Sequence, residues 1–210
     1  AVSEPWIFDS EEMTNYEVGV KGLYFDNALQ MEVSYFFQDF DNHWVYANRY
    51  KTPEEQARDP FSSPLTNNVQ GITGTTIQGI ELQGAWRITD SLTLRGFYNW
   101  LDTDVGDFNS IYPYEIPGQE APWAQLFYDN EAGETIGPVW IREQFLDFGG
   151  NQLANQAEHK GSLTLAYDAP IPAGMGTLEV LTIFSYTGEK FVELGNIDSY
   201  AIDPFKRWDL

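Results

Sequence analysis

Three pairs of segments in this chain alternate apolar and polar residues with a period of two. The pairs cover residues 16–25 with 29–38, 80–88 with 92–100, and 160–167 with 178–186. Side chains with this period point to opposite faces of a β-strand, so each pair predicts a hairpin of two antiparallel strands. A seventh strand is predicted to begin near residues 207–210. The pattern therefore predicts an all-β chain with six to seven strands.

The connections between these strands alternate between short and long. Short turns are expected near residues 26–27, 89–91 and 168–176, and long segments span residues 39–76, 103–156 and 188–205. Transmembrane β-barrels have short turns at one end and long loops at the other. Compact soluble domains seldom contain loops longer than about 15 residues. This rhythm favours a segment of an antiparallel transmembrane β-barrel, with a soluble β-sandwich as the alternative.

Charged residues within the predicted strands all lie on the polar side of the alternation. They are Glu17, Lys21, Glu32, Glu81, Arg87, Arg95 and Lys160. A Lys or Arg facing lipid at mid-membrane costs about 2–4 kcal/mol, so this face is predicted to line a barrel interior. Aromatic residues near the strand ends are typical of membrane interfaces. This second set comprises Tyr24, Trp44, Tyr46, Trp100, Tyr167 and Tyr186.

The net charge and the residue types exclude several functions. The formal net charge is −21, which opposes nucleic-acid binding. The chain contains no cysteine, and its two histidines, His43 and His159, lie in separate regions without a nucleophile motif. We therefore expect neither catalysis nor a required cofactor.

Four segments resemble the C-terminal half of the barrel in TonB-dependent outer-membrane receptors. They are residues 11–40 (EEMTNYEVGVKGLYFDNALQMEVSYFFQDF), 67–87 (NNVQGITGTTIQGIELQGAWR), 91–104 (SLTLRGFYNWLDTD) and 155–170 (NQAEHKGSLTLAYDAP). In the last segment the family commonly has Asn-x-Pro, and Ala157 occupies the proline position here. The order and spacing of the segments agree with the family over most of residues 11–170.

This resemblance implies a 22-stranded barrel closed by a plug domain, in the outer membrane of a Gram-negative bacterium. Residues 1–210 are then expected to form part of the barrel, with the plug and the remaining strands outside this chain. The implied function is energised uptake of a scarce ligand of the siderophore, cobalamin or oligosaccharide class. The implied partners are outer-membrane lipid, that ligand, and the TonB energy-coupling complex, which acts through the plug. A passive porin or adhesin barrel and a soluble secreted carbohydrate-binding β-sandwich remain alternatives.

Two groups of residues are candidate binding sites. Asp102, Asp104, Asp107 and Asn109 place oxygen ligands at short spacing and could bind calcium, although the EF-hand order is absent. The long segment 103–156 is the predicted ligand-facing loop, since aromatic side chains can stack on a ligand and Arg can orient an anion. Its candidate ligand-binding residues are Trp123, Tyr128, Trp140 and Arg142. The segment 41–67 is predicted to cap the mouth of the barrel.

Overall fold

The computed structural model describes two compact units. The described residues are 9–51, 53–59, 61–63, 65–112, 123–129, 135–142, 145–172 and 175–210. One unit, here called the sheet unit, comprises Thr14–Asp39, Thr76–Asp104 and Gln152–Leu210. The other, here called the loop unit, comprises the described parts of Phe40–Thr75 and Val105–Asn151 with the residues that precede Thr14.

Fifteen strands and one short α-helix make up the regular structure among the described residues. In chain order they are β1 (Glu12–Tyr24), β2 (Leu29–Asp41), β3 (His43–Tyr50), α1 (Pro53–Arg58), β4 (Leu65–Ile72), β5 (Thr75–Thr89), β6 (Leu92–Asp104), β7 (Asn109–Ile111), β8 (Trp123–Asp129), β9 (Thr135–Arg142), β10 (Phe145–Asp147), β11 (His159–Pro170), β12 (Thr177–Thr187), β13 (Lys190–Phe191), β14 (Ala201–Ile202) and β15 (Phe205–Asp209). A 3-10 helix, Asp198–Tyr200, precedes β14. No described helix has the length and apolar character needed to cross a membrane.

A single seven-stranded sheet contains all the strands predicted from the alternation. Its order is β1-β2-β5-β6-β11-β12-β15, so strands next to each other in the sheet follow each other along the chain once the long segments are set aside. The pairings of β5 with β6, β6 with β11, β11 with β12 and β12 with β15 are antiparallel. The sheet is open, since β1 and β15 each have one neighbour among the described strands. The predicted all-β, antiparallel fold is confirmed.

The register gives the sheet two chemically different faces. The polar face carries Lys21, Glu32, Gln83, Arg95 and Lys160, and the apolar face carries the alternate positions. Exposed apolar-face side chains include Tyr16, Val18, Val20, Ile80, Leu82, Trp86, Leu163, Leu165, Tyr167, Leu178 and Val180. An exposed apolar surface that continues across a whole sheet is what a lipid-facing barrel wall requires.

Short turns join the strands of each hairpin at one end of the sheet, here called the turn end. Phe25, Asp26 and Asn27 all have positive φ, and the Ala28 N–H donates to the Phe25 carbonyl at 3.0 Å. Asp and Asn tolerate this left-handed conformation better than most residues, which explains the tight turn. The third turn is shorter than predicted, because β11 continues to Pro170, which lies opposite Thr177.

The long segments leave the opposite end of the sheet, here called the loop end, and they contain secondary structure of their own. Residues 39–76 form the β3–β4 hairpin with α1 between its strands, and residues 103–156 contain β7 to β10. The third long segment holds the short pair β13–β14. Sequence reasoning treated these segments as connections, because their strands are short and alternate weakly.

Most of the buried side chains belong to the loop unit. Buried residues there include Val45, Ala47, Ile72, Val105, Phe108, Ile111, Tyr112 and Phe148. Phe108 and Phe148 pack with their ring centroids 5.5 Å apart. Gly106 closes this core, since any side chain there would collide with the Thr73 carbonyl. In the described sheet unit, Thr103 and Leu153 are the buried residues other than glycine.

Candidate functional site: the polar face of the sheet

A network of charged and amide side chains crosses three strands on the polar face. Lys21 Nζ on β1 lies 2.9 Å from Glu32 Oε2 on β2, and Gln83 Nε2 on β5 donates to the same oxygen at 3.0 Å. The alternation brings these three residues to one side, since each lies at a polar position of its strand. At this point on the polar face, the positive charge of Lys21 and the negative charge of Glu32 balance each other.

A shallow recess of about 440 Å³ opens beside this network. Its lining includes Lys21, Glu32 and Gln83 together with Arg95 on β6 and Ser162 on β11. The Ser162 and Ser185 hydroxyls lie 3.2 Å apart on the neighbouring strands. The recess therefore presents positively charged, negatively charged and neutral hydrogen-bonding side chains along the middle of the strands.

A second recess, of about 290 Å³, lies near the loop end of the same face. Four of its lining residues form one row across four strands, because Glu81 pairs with Asn99, Asn99 with Lys160, and Lys160 with Thr187. Lys190, the first residue of β13, also lines it. This recess combines two amino groups with one carboxylate and several amides.

The apolar face changes character near the loop end, where its polar atoms are hydrogen-bonded to one another. Tyr35 Oη donates to Gln78 Oε1 at 2.9 Å, and Gln78 Nε2 donates to Asp102 Oδ2 at 2.9 Å. Also on β6, two residues before Asp102, Trp100 Nε1 donates to Glu158 Oε1 at 3.1 Å. Amphipathic aromatic side chains with satisfied polar atoms suit the boundary between lipid chains and water.

The two histidines have aromatic and acidic neighbours. His159 Nδ1 lies 2.8 Å from Tyr98 Oη, and the two rings stack with centroids 6.1 Å apart. His43 Nδ1 lies 3.6 Å from Glu11 Oε1, and Phe40 meets its ring edge-on.

The residues predicted to bind calcium belong to different elements of the structure. Asp102 bonds to Gln78 at the end of β6, Asp104 and Asp107 are exposed, and Asn109 begins β7. The residues between them, including Val105 and Phe108, are buried in the loop unit. No group of three or more His, Asp or Glu side chains with metal-binding geometry occurs in the described part of the chain. Calcium binding by this segment stays a prediction.

The four predicted ligand-binding residues lie on the β8–β9 hairpin. The backbone register places Trp123 opposite Arg142 and Gln125 opposite Trp140, while Tyr128 is paired with Ile136. Their side chains lie outside the described residues. A contribution of Trp123, Tyr128, Trp140 and Arg142 to ligand binding therefore stays a prediction.

The β3–β4 hairpin of the loop unit is braced by an ion pair. Arg49 donates two hydrogen bonds of 2.7 Å to the two carboxylate oxygens of Glu55 on α1. The hydrogen bonds to Glu55 raise the pKa of the Arg49 guanidinium. The fully buried Gln56 donates to the Ser62 carbonyl at 3.1 Å and to the Asp59 carbonyl at 3.3 Å. These bonds give the segment that was predicted to cap the barrel a defined local structure.

Sequence reasoning placed most of the polar face correctly but missed Lys190. Lys160 and Arg95 follow the parity of their strands, whereas Lys190 lies in a long segment where no alternation indicates a direction. The Gly188 N–H donates to the His159 carbonyl at 2.8 Å, so the chain stays beside β11 as it leaves β12. That continuation brings Lys190 to the same recess as Lys160.

Comparisons with known proteins agree with this architecture. The family model described as "TonB dependent receptor-like, beta-barrel" matches residues 7–210. The chain therefore belongs to the TonB-dependent receptor β-barrel family. A search of curated protein sequences finds no match.

Two solved structures share the fold. The chain is 11% identical to BauA, the ferric preacinetobactin receptor from Acinetobacter baumannii, with a TM-score of 0.53 over 96% of this chain and 22% of that one. It is 15% identical to the FrpB iron transporter from Neisseria meningitidis (F3-3 variant), with a TM-score of 0.50 over 93% of this chain and 23% of that one. The chain thus spans less than a quarter of the length of these structures.

Proposed function

We propose that this chain forms part of the barrel wall of an outer-membrane receptor that takes up a scarce ligand with energy from the TonB complex. One observation carries the proposal: seven consecutive antiparallel strands expose an apolar face on one side and a hydrogen-bonded, charged face on the other. A barrel wall between lipid and an aqueous lumen needs this division. The family match over residues 7–210 supports the same role.

The partners of such a receptor follow from the proposal. Outer-membrane lipid contacts the apolar face, the ligand enters along the polar face, and the plug domain connects the barrel to the energy-coupling complex. The role is transport and not catalysis. Ferric chelates are the first ligand class to test, because the two solved neighbours are a ferric preacinetobactin receptor and an iron transporter. Cobalamin and oligosaccharides are tested next.

The test is transport by the receptor that contains this chain, expressed in a Gram-negative host. We expect recovery in the outer-membrane fraction and accumulation of a radiolabelled ligand that stops when the energy-coupling complex is deleted. Uptake that persists without that complex would instead identify a passive porin. Recovery as a soluble protein without detergent would overturn the membrane location and favour the soluble carbohydrate-binding module.

A further inference from the structure

Two lysines line the same recess at the loop end of the polar face. Lys160 extends from β11, and Lys190 lies where the chain continues beyond β12. Lys160 is exposed and Lys190 is half-buried. The row formed by Glu81, Asn99, Lys160 and Thr187 fixes the position of the first lysine across the sheet.

Neither amino group has a hydrogen-bond or salt-bridge partner among the described residues. Three other cations of the chain have acidic partners: Lys21 pairs with Glu32, Arg49 with Glu55, and Arg207 with Asp209. Four more have no side-chain partner among the described residues, namely Arg58, Arg87, Arg95 and Lys206. The chain has 32 acidic residues and 11 Lys and Arg residues, so acidic partners are plentiful. Lys160 and Lys190 differ from the other unpaired cations because both line one recess.

The formal charge of the residues that line this recess is opposite in sign to that of the whole chain. Glu81 is the one carboxylate in its lining, so two lysines and one glutamate leave a net positive charge there. The formal charge of the chain is −21. Two amino groups that face one concave surface repel each other, and an anion between them would remove that repulsion. The lining amides of Asn99, Asn155 and Gln156 can donate further hydrogen bonds to it.

We propose that this recess is a subsite for an anionic group of the transported ligand, with Lys160 and Lys190 as its two charged contacts. The ligand class is one that carries carboxylate or phosphate oxygens, since these accept hydrogen bonds from several ammonium and amide donors at once. The assignment rests on the proposed function, because it requires the polar face to be open to the ligand.

The first test is calorimetric titration of the detergent-solubilised receptor with citrate, used as a small tricarboxylate probe. We expect binding that weakens as salt is raised, and an affinity about tenfold lower in the double variant Lys160→Gln with Lys190→Gln, which is about 1.4 kcal/mol. Lys206→Gln is the matched control, because Lys206 lies on the apolar face opposite Tyr186. Absence of citrate binding, or equal losses in the double variant and the control, would overturn the proposal.

The second test is amine labelling of the receptor followed by mass spectrometry. Lys160 and Lys190 should react in the free receptor and be protected by citrate, whereas Lys206 should be unaffected by citrate. If both lysines are unreactive before citrate is added, another part of the receptor occupies the recess and the subsite does not exist.

The two proposals fail in different ways. A receptor that reaches the outer membrane and performs energised uptake, but whose lysines do not respond to citrate, contradicts the subsite alone. A chain recovered as a soluble protein contradicts the proposed function, whatever its citrate affinity. Membrane fractionation of every variant therefore accompanies both measurements.

Discussion

The sheet unit and the loop unit solve the burial of apolar side chains in different ways. In the loop unit, Ile72 and Val105 are 1% exposed, and the buried rings of Phe108 and Tyr112 both pack against Phe148. In the sheet unit, Leu163 is 52% exposed on β11, which pairs with a strand on each side, and Val18 is 69% exposed on β1. One unit has an ordinary protein core, and the other presents its apolar side chains to the surroundings.

This difference indicates that the two units depend on different solvents. The apolar core of a unit surrounded by water is stabilised because folding removes apolar surface from water. This burial contributes about 25 cal/mol per Å². The exposed face of the sheet gains nothing comparable until lipid covers it, although its backbone bonds are already made. Substitutions should therefore have effects that depend on the unit more than on the residue type.

Truncation of Ile72 in the loop unit should have the largest effect. Ile72→Ala leaves a cavity beneath the β3–β4 hairpin and should lower the free energy of local opening of that hairpin by about 2–4 kcal/mol. Hydrogen exchange of the β4 amides measures this quantity. Ile80→Ala, on the apolar face of the sheet, is the matched change. The stability lost through Ile80→Ala should be less than half of that lost through Ile72→Ala, because Ile80 is 39% exposed and lipid chains can fill the vacated space.

A charge on the apolar face should have the next largest effect. Leu163→Arg places a guanidinium in the middle of β11 on the lipid side and should lower the free energy of unfolding in lipid vesicles by about 2–4 kcal/mol. Denaturant titration of the reconstituted receptor provides the number. Ala166→Arg, on the polar face of the same strand, is the control and should cost little. Equal effects of the two substitutions would contradict the assignment of the faces.

The Arg49–Glu55 pair should contribute a smaller amount to the loop unit. Arg49→Lys removes the two-pronged geometry while it keeps the charge, and should lower the local stability of the β3–α1 segment by about 1–2 kcal/mol. Limited proteolysis of this segment reports the change. Arg58→Lys is the control. Arg58 lies on α1, the helix that carries Glu55, and has no side-chain partner among the described residues, so this change should leave the cleavage rate unchanged.

Asn196 should have the smallest effect of this series. Its side chain accepts from the Gln152 N–H at 2.6 Å and donates to the Gln152 carbonyl at 3.0 Å, which ties two segments together at the loop end. Asn155 provides a control, because both residues have positive φ and both alanine variants carry that backbone cost. Asn196→Ala should exceed Asn155→Ala by about 1 kcal/mol, seen as faster exchange of the Gln152 amide. Equal exchange in the two variants would mean that the side-chain bonds contribute nothing.

The sheet was predictable from the sequence because a single local rule governs it. Alternation assigns each residue of a half-exposed strand to a face, and antiparallel pairing keeps neighbouring strands in phase. Lys21 and Glu32 were therefore placed on one face before any distance was known. The direction of the side chains still alternates in β12, even where the residue type does not. Thr182 is polar, yet it lies on the apolar face opposite Leu165.

The loop unit was not predictable in the same way. Its core brings Val45 and Ala47 from the first long segment into one unit with Phe108 and Phe148 from the second, and no local period connects them. Calcium binding by Asp102, Asp104, Asp107 and Asn109 stays a prediction, because sequence spacing does not show which side chains converge when Val105 and Phe108 between them are buried. Lys190 was missed because its direction depends on how the chain leaves β12.

Accessibility measured along β11 tests the central claim most directly. Residues 1–210 contain no cysteine, so single-cysteine variants at positions 160–167 can each carry a nitroxide label in the reconstituted receptor once any cysteine elsewhere in it is replaced. We predict that odd positions, including Leu163 and Leu165, collide with oxygen dissolved in lipid, and that even positions collide with a water-soluble nickel complex. A period of two in opposite phase for the two reagents would establish the lipid-facing and lumenal faces. Equal access of the water-soluble reagent to both parities would contradict the account.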